Sequence, residues 1–132
     1  MALTEEDRKI IINLEFAKAM ATFREAEANA KIHLWSVVSN RLYYALYHGI
    51  ISLLVSEGLQ VGTHKGAQNQ FGQHFVMTQK FTMDDAKLYA KLLNMREKAD
   101  YNCSYKTDAS EMEPLIPQVQ DLLDKIKKYL SL

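Results

Sequence analysis

Apolar positions recur at helical spacing along most of the chain, and nothing reads as a pair of strands. A first helix opens at Thr4, whose side chain can cap free amides. Glu5, Glu6 and Asp7 then suit the positive end of the helix dipole. Ile10, Leu14, Ala17 and Ala21 form one apolar stripe on it, and Phe16, Met20 and Phe23 form a neighbouring one. Its end is expected near residues 28–31. A second helix runs from about residue 33 to 57 and stops at Gly58. It is apolar on nearly every side, which predicts a central helix covered by others. Thr63 can cap a third, shorter helix over about residues 64–76, with Phe71 and Phe75 one turn apart. Thr82 caps a fourth over about residues 83–100, again with acids (Asp84, Asp85) in the first turn. After the loop YNCSYKTD, the spacing of Leu115, Val119, Leu122, Ile126 and Tyr129 or Leu130 gives a last helix. Pro114 and Pro117 leave its start open, because proline is tolerated in a first turn and disruptive later. The expected class is all-α, with five helices.

Composition narrows this further. A chain of 132 residues suggests one domain, residues 1–132, with one core. Sixteen basic and sixteen acidic residues cancel, so no global field draws nucleic acid or an anionic membrane, and any such binding must be local. The single cysteine, Cys103, can form neither an internal disulfide nor a cysteine zinc cluster, and a reducing, cytoplasmic setting fits. The start, MALTEEDRK, lacks the charged-then-apolar pattern of a signal peptide. Residues 35–55 are long enough to span a bilayer, but Arg41, Asn40 and His48 lie among them. Arginine near the centre of a membrane is costly, so a buried helix is expected and no membrane. The four histidines, at 33, 48, 64 and 74, show no HxxxH or HExxH spacing and no cysteine pair stands beside them. Neither a metal nor a cofactor is expected. Ser/His/Asp chemistry lacks a nucleophile elbow.

The stretch RLYYALYHG, residues 41–49, sets polar groups inside the most apolar part of the chain. At 100° per residue, Arg41, Tyr44, His48 and Ser52 share one stripe, with Leu34, Val37 and Val55 beside them. Tyr43, Tyr47, Ile50 and Leu54 form another, read as packing. On the fourth helix Lys87, Lys91, Asn94 and Lys98 share a solvent face. Tyr89, Leu92, Leu93, Arg96 and Asp100 lie opposite. Arg96 is thus the basic residue that points inward, and Asp100 stands one turn on. A guanidinium there must be paired or line a crevice. A structural ion pair and a satisfied core histidine at His48 are the plainer readings of the same pattern. The THKG of residues 63–66 could present amides to a phosphate at a helix start.

RLYYALYHG, then THKGAQNQFGQHFV, then LLNMREKADYN, in that order, resemble the HEPN family, the higher eukaryotes and prokaryotes nucleotide-binding domains. The likeness is greatest to its small stand-alone prokaryotic branch and covers about residues 26–101. The resemblance implies an antiparallel helical bundle that forms a homodimer through its later helices and brings two motif arginines to one cleft. It implies a nucleotide or RNA ligand. In some members it implies a small nucleotidyltransferase partner in a toxin–antitoxin pair. In many members the chemistry is metal-independent RNA cleavage, with a ribose 2′-hydroxyl attacking the adjacent phosphate. That needs a cation on the phosphoryl oxygens and an acid or base for the moving protons. Arg96 matches the motif arginine. The motif histidine that should follow is absent: Tyr101 or Asn102 stands in its place, and no histidine follows His74.

The resemblance therefore implies Arg96, Tyr101 and His48 as candidate catalytic residues. It implies Arg41, Tyr44, Arg96, Asp100, Tyr101, Asn102, His64 and Lys65 as candidate contacts to nucleotide or RNA. The leading expectation is a protein that binds a phosphate in a dimer cleft without the motif histidine. An active endoribonuclease toxin and a non-catalytic structural or interaction module are the alternatives.

Overall fold

Three threonines start three helices. In the computed structural model, which describes residues 3–132, Thr4 precedes α1 (Glu5–Lys31). Its hydroxyl accepts the Asp7 amide at 3.0 Å, and the Asp7 carboxylate accepts the Thr4 amide in return. Thr82 and Asp85 repeat this capping box at α4 (Met83–Tyr101). Thr63 caps α3 (His64–Phe71) by accepting the Gly66 amide at 2.8 Å. Two further pieces complete the chain: α5 (Ala109–Met112), a single turn capped by Asp108, and α6 (Leu115–Leu130). Pro114 and Pro117 fall at the cap and in the first turn of α6, where no amide is needed. Among the described residues there is no strand. The fold is all-α: five substantial helices form the bundle, and α5 supplies one extra turn between the loop of residues 102–108 and α6.

A three-residue link, 32–34, turns the chain from α1 into α2 (Trp35–Ser56), so the two helices run antiparallel along each other. His33 makes the turn with a positive φ of 61°. At the other end, Gly58, with φ 73°, ends α2 in the left-handed conformation that glycine adopts without strain. α2 is the central helix, as its all-round apolarity predicts. It packs against α1, α3, α4, α5 and α6, and Val38, Leu42, Leu46, Ile50 and Leu53 are fully buried. Its apolar length is spent on this core, and no described helix is long and apolar enough to cross a membrane. Gly49 is where α6 comes closest. A β-carbon there would stand 3.0 Å from Leu123 and 3.2 Å from Ile126.

Of the two apolar stripes on α1, the helix buries the aromatic one. Phe16, Ala19, Phe23 and Ala26 face the core, whereas Ile10 and Leu14 are 53% and 66% exposed. The buried face made by Phe16, Ala19, Phe23 and Ala26 lies nearly opposite Ile10 and Leu14 on the helix. α1 has one main neighbour and can bury one face. The phenylalanines offer more area, and the alanines between them let α2 approach closely.

α3 runs without a break into a π-helical turn, Gly72–Val76, in which the Met77 amide donates to the Gly72 carbonyl at 2.9 Å. The extra residue lets Phe71, Phe75 and Val76 all reach the core.

Candidate functional site

Consecutive turns of α2 lay down a row of tyrosines. Tyr43 is fully buried and stacks on Tyr89 of α4 with ring centroids 5.9 Å apart and planes 3° from parallel. Tyr47 stacks on it at 6.0 Å, and Tyr44 meets it edge-on at 5.1 Å. Arg96 reaches over this row from α4, with Cζ 5.6 Å from the ring centres of both Tyr43 and Tyr44. Its side chain is 22% exposed. Its carboxylate partner is Asp100, one turn on, at 3.6 Å, and that carboxylate is itself 52% exposed. The inward turn expected of Arg96 is present, and the pair is loose.

Arg41 stands over the same Tyr44 ring at 5.5 Å. It is held more firmly than Arg96: Glu25 of α1 accepts from it at 3.1 Å, and the Asn40 side chain accepts at 2.7 and 3.0 Å. Two guanidiniums therefore share one phenol ring. Arg96 also lines a narrow crevice of about 40 Å³ with Ser39, Asn40, Asp100, Tyr105 and Thr107. The Thr107 hydroxyl is buried there without a hydrogen-bond partner. A buried hydroxyl left unpaired is costly, so the crevice suits a ligand oxygen or a water.

His64 enters from a third element. It is the first residue of α3, fixed by the Thr63 cap, and a β-carbon on Gly66 would crowd the capping hydroxyl at 2.9 Å. The imidazole sits 4.6 Å from the Tyr47 ring, 5.6 Å from Tyr43 and 5.9 Å from Tyr44. Its Nδ1 lies 2.6 Å from the Tyr43 hydroxyl. Burial, and then the positive charge of Arg96, lower its pKa below the ordinary imidazole value, so it is neutral at neutral pH. Burial pushes Tyr43 up to about 12, against the lowering effects of the Tyr89 hydroxyl and Arg96. Burial also raises Tyr89, so both phenols keep their protons.

His48 lies one turn beyond Tyr44 on α2. Its Nδ1 is 2.7 Å from the carboxylate of Glu15 on α1, and its ring is 5.5 Å from Tyr47 and 6.5 Å from Tyr44. The structure therefore gathers Arg96, Arg41, Tyr44, His64 and Asp100 around one aromatic bed, with His48 and Glu15 at its far end. It does not gather Tyr101, which is 90% exposed, or Lys65, which is exposed. Asn102 turns its side-chain oxygen back to the amide and hydroxyl of Ser104. Tyr43 and Tyr47 do more than pack, because they hold the imidazole of His64. Glu15, Glu25 and Thr107 carry no signal in the sequence that would place them here.

Larger hollows exist elsewhere. One of about 720 Å³ runs along Phe71, Val76, Met77, Met83 and Tyr89. Another of about 530 Å³ lies by Lys9, Ile12 and Tyr129. Neither brings together arginines, an imidazole and an unpaired hydroxyl as the Arg96 bed does. No group of three His, Cys, Asp or Glu among the described residues could hold a metal ion. What the Arg96 bed offers is planar guanidinium donors beside a neutral imidazole, a set suited to phosphoryl oxygens.

Comparison with known proteins agrees in extent with this arrangement. The HEPN domain matches residues 13–129, which includes every residue of the bed. A protein of Thermotoga maritima named "UPF0332 protein" is 30% identical over 92 residues, 70% of each chain. From Methanocaldococcus jannaschii, "Putative toxin MJ0605" is 33% identical over 91 residues, 69% of this chain and 67% of its own. "Putative toxin MJ0142", of the same organism, is 24% identical over 113 residues, 86% of this chain and 77% of its own. With its helical bundle and a family match running through nearly the whole chain, the protein belongs to the HEPN domain family.

Proposed function

We propose that this chain is a toxin-like HEPN protein, one domain acting in the cytoplasm, that holds a phosphate of a nucleotide or RNA on Arg96. The observation that carries the reading is the state of that guanidinium. It is mostly buried over Tyr43 and Tyr44, and its 3.6 Å contact to a half-exposed Asp100 leaves donors free. Arginine held over aromatic rings presents a planar fork that can make two parallel hydrogen bonds to a phosphate. The unpaired Thr107 hydroxyl in the adjoining crevice supplies a further contact. Arg41, over the same Tyr44 ring, adds positive charge in a chain with no net charge.

The toxin setting draws on the names of the two Methanocaldococcus jannaschii relatives. Pairing of two chains around the arginines, and a nucleotidyltransferase partner, complete the reading on family grounds. Arg96→Ala tests it. Titration of labelled single-stranded RNA and of ATP is expected to show dissociation constants raised about tenfold or more. That is the loss of a charge-assisted hydrogen bond or two. Equal, negligible binding by both proteins would remove the proposal.

A further inference from the structure

The apolar stripe that α1 leaves in water takes no part in the tyrosine bed. Ile10 and Leu14 stand exposed, and Ala17 and Ala21 continue the same face. Asp7 comes one turn before it and Arg24 one turn after, both exposed too. We propose that this face binds a second copy of the chain, two α1 helices packing antiparallel along it. Ile10 then lies against Ala21 of the other copy, Leu14 against Ala17, and Asp7 against Arg24. The proposal stands apart from the reading of Arg96.

Three features carry it. The first is spacing. Positions 7, 10, 14, 17, 21 and 24 follow one another in steps of three and four. That is the average of about 3.5 that keeps a seam between two helices in line. The second is size. Each apolar layer joins a branched side chain to an alanine, so neither end of the seam is crowded and neither is hollow. The third is charge. Asp7 lies in the first turn of α1, and its carboxylate takes only a 3.4 Å bond from the Thr4 amide. Arg24 has Glu27 at 2.7 Å on its own helix, yet its side chain is 62% exposed and its guanidinium has donors to spare. The three pairs share one midpoint, between residues 15 and 16, so the pattern matches itself when turned end for end. A two-fold interface between identical chains requires such a match.

Other occupants fit less well. Two parallel copies in register would set Ile10 on Ile10 and Leu14 on Leu14, then leave alanine facing alanine one turn later. They would also oppose Asp7 to Asp7 and Arg24 to Arg24. An anionic lipid surface would be repelled by Glu5, Glu6 and Asp7 in the first turn. Exposed ion pairs hold weakly, so Asp7 and Arg24 set the direction and register of the helices while the apolar layers supply the attraction. None of the six residues belongs to the tyrosine bed, so the seam can be broken without touching Arg96.

Sedimentation equilibrium and cross-linking of the full chain test this. Leu14→Glu puts a charge in the middle of the seam at a side chain that is already exposed, so it should fold as wild type by circular dichroism. At about 100 µM the wild-type mass should be about twice that of Leu14→Glu, whatever other contacts the chain makes. Arg24→Glu should raise the dissociation constant about tenfold, and Arg24→Lys should stay within about threefold of wild type. Cysteine pairs read the direction. Cys103 is exposed, so a Cys103→Ser background is used. In it, a mixture of Ile10→Cys and Ala21→Cys chains should form a disulfide-linked dimer on mild oxidation. Neither chain alone should do so, because an antiparallel seam sets its two identical cysteines about 16 Å apart. Equal masses for wild type and Leu14→Glu overturn the proposal, and so does a mixture that fails to cross-link. Cross-linking by Ile10→Cys alone means parallel helices and overturns it as well. Should Leu14→Glu fail to fold, the cysteine result decides alone. A wild type that binds phosphatidylglycerol vesicles through Leu14 and forms no such dimer gives the face a lipid partner and also overturns it.

Discussion

Around Phe75, Phe81 and Tyr129 two lysines stand over aromatic rings, and around Tyr43 and Tyr44 two arginines do. Lys80 lies 5.6 Å from Phe75 and 5.9 Å from Tyr129, and Lys125 lies 5.0 Å from Phe81. Each lysine ends on a close carboxylate, Lys80 on Glu57 at 3.1 Å and Lys125 on Asp85 at 2.6 Å. The Tyr129 hydroxyl donates to the same Glu57 at 2.9 Å. In that cluster the cations are matched and the polar atoms answered. In the tyrosine bed Arg41 is matched by Glu25, while Arg96 has a longer contact to Asp100 and the Tyr44 hydroxyl beside it, next to an unpaired Thr107 hydroxyl. Cations over aromatic rings are therefore not enough to mark a site. What separates the two clusters is donor capacity left unspent.

Substitutions in the two clusters should give opposite results. Phe75→Ala strikes the matched cluster at its centre, where the ring meets Phe71, Phe81 and Tyr129. It should lower stability by about 3–5 kcal/mol, read in a urea melt. Asp85→Ala removes both the acceptor of Lys125 and half of the capping box on α4. A loss of about 1–2 kcal/mol is expected in the same melt. Arg96→Met should change stability by no more than about 1 kcal/mol, because the ion pair is loose and partly solvated. The same variant should nevertheless lose the phosphate ligand in titration. A melt as damaged as that of Phe75→Ala would make Arg96 a structural residue and erase the contrast.

The smallest effect concerns pH. Hydrogen bonds from Lys80, then Tyr129, hold the Glu57 carboxyl below its ordinary value. The ionised form is thus favoured by folding. Its contribution is complete above the ordinary carboxylate range and is lost as pH falls through the lowered folded value. Glu57→Gln should flatten the acid side of a plot of melting temperature against pH. Arg96→Met should leave that side unchanged.

Local chemistry was legible in the sequence, and convergence was not. Thr4, Thr63 and Thr82 each cap the helix expected of them, and Gly58 ends α2, because such signals act over a few residues. The inward face of Arg96 follows from helical periodicity alone. The aromatic face that α1 buries does not, since both of its stripes are apolar and the choice lies with α2. The partners that answer the polar residues of α2 come from far along the chain: Glu25 for Arg41, Glu15 for His48 and His64 for Tyr43. No periodicity within one helix can name them. Tyr101 shows the reverse relation. Its place in the motif suggests the site, but the last turn of α4 turns its ring to water.

The π-helical turn at Gly72–Val76 makes this stretch sensitive to chain length. Each residue of a helix advances the chain by about 1.5 Å and ~100°, and the surplus residue has been absorbed without a break. Deleting one residue there would restore a regular helix but rotate everything before it relative to everything after it. His64 would then swing away from Tyr43, or Phe81 away from Phe75. A shortened variant would keep its helix content and lose the alignment between the tyrosine bed and the phenylalanine cluster.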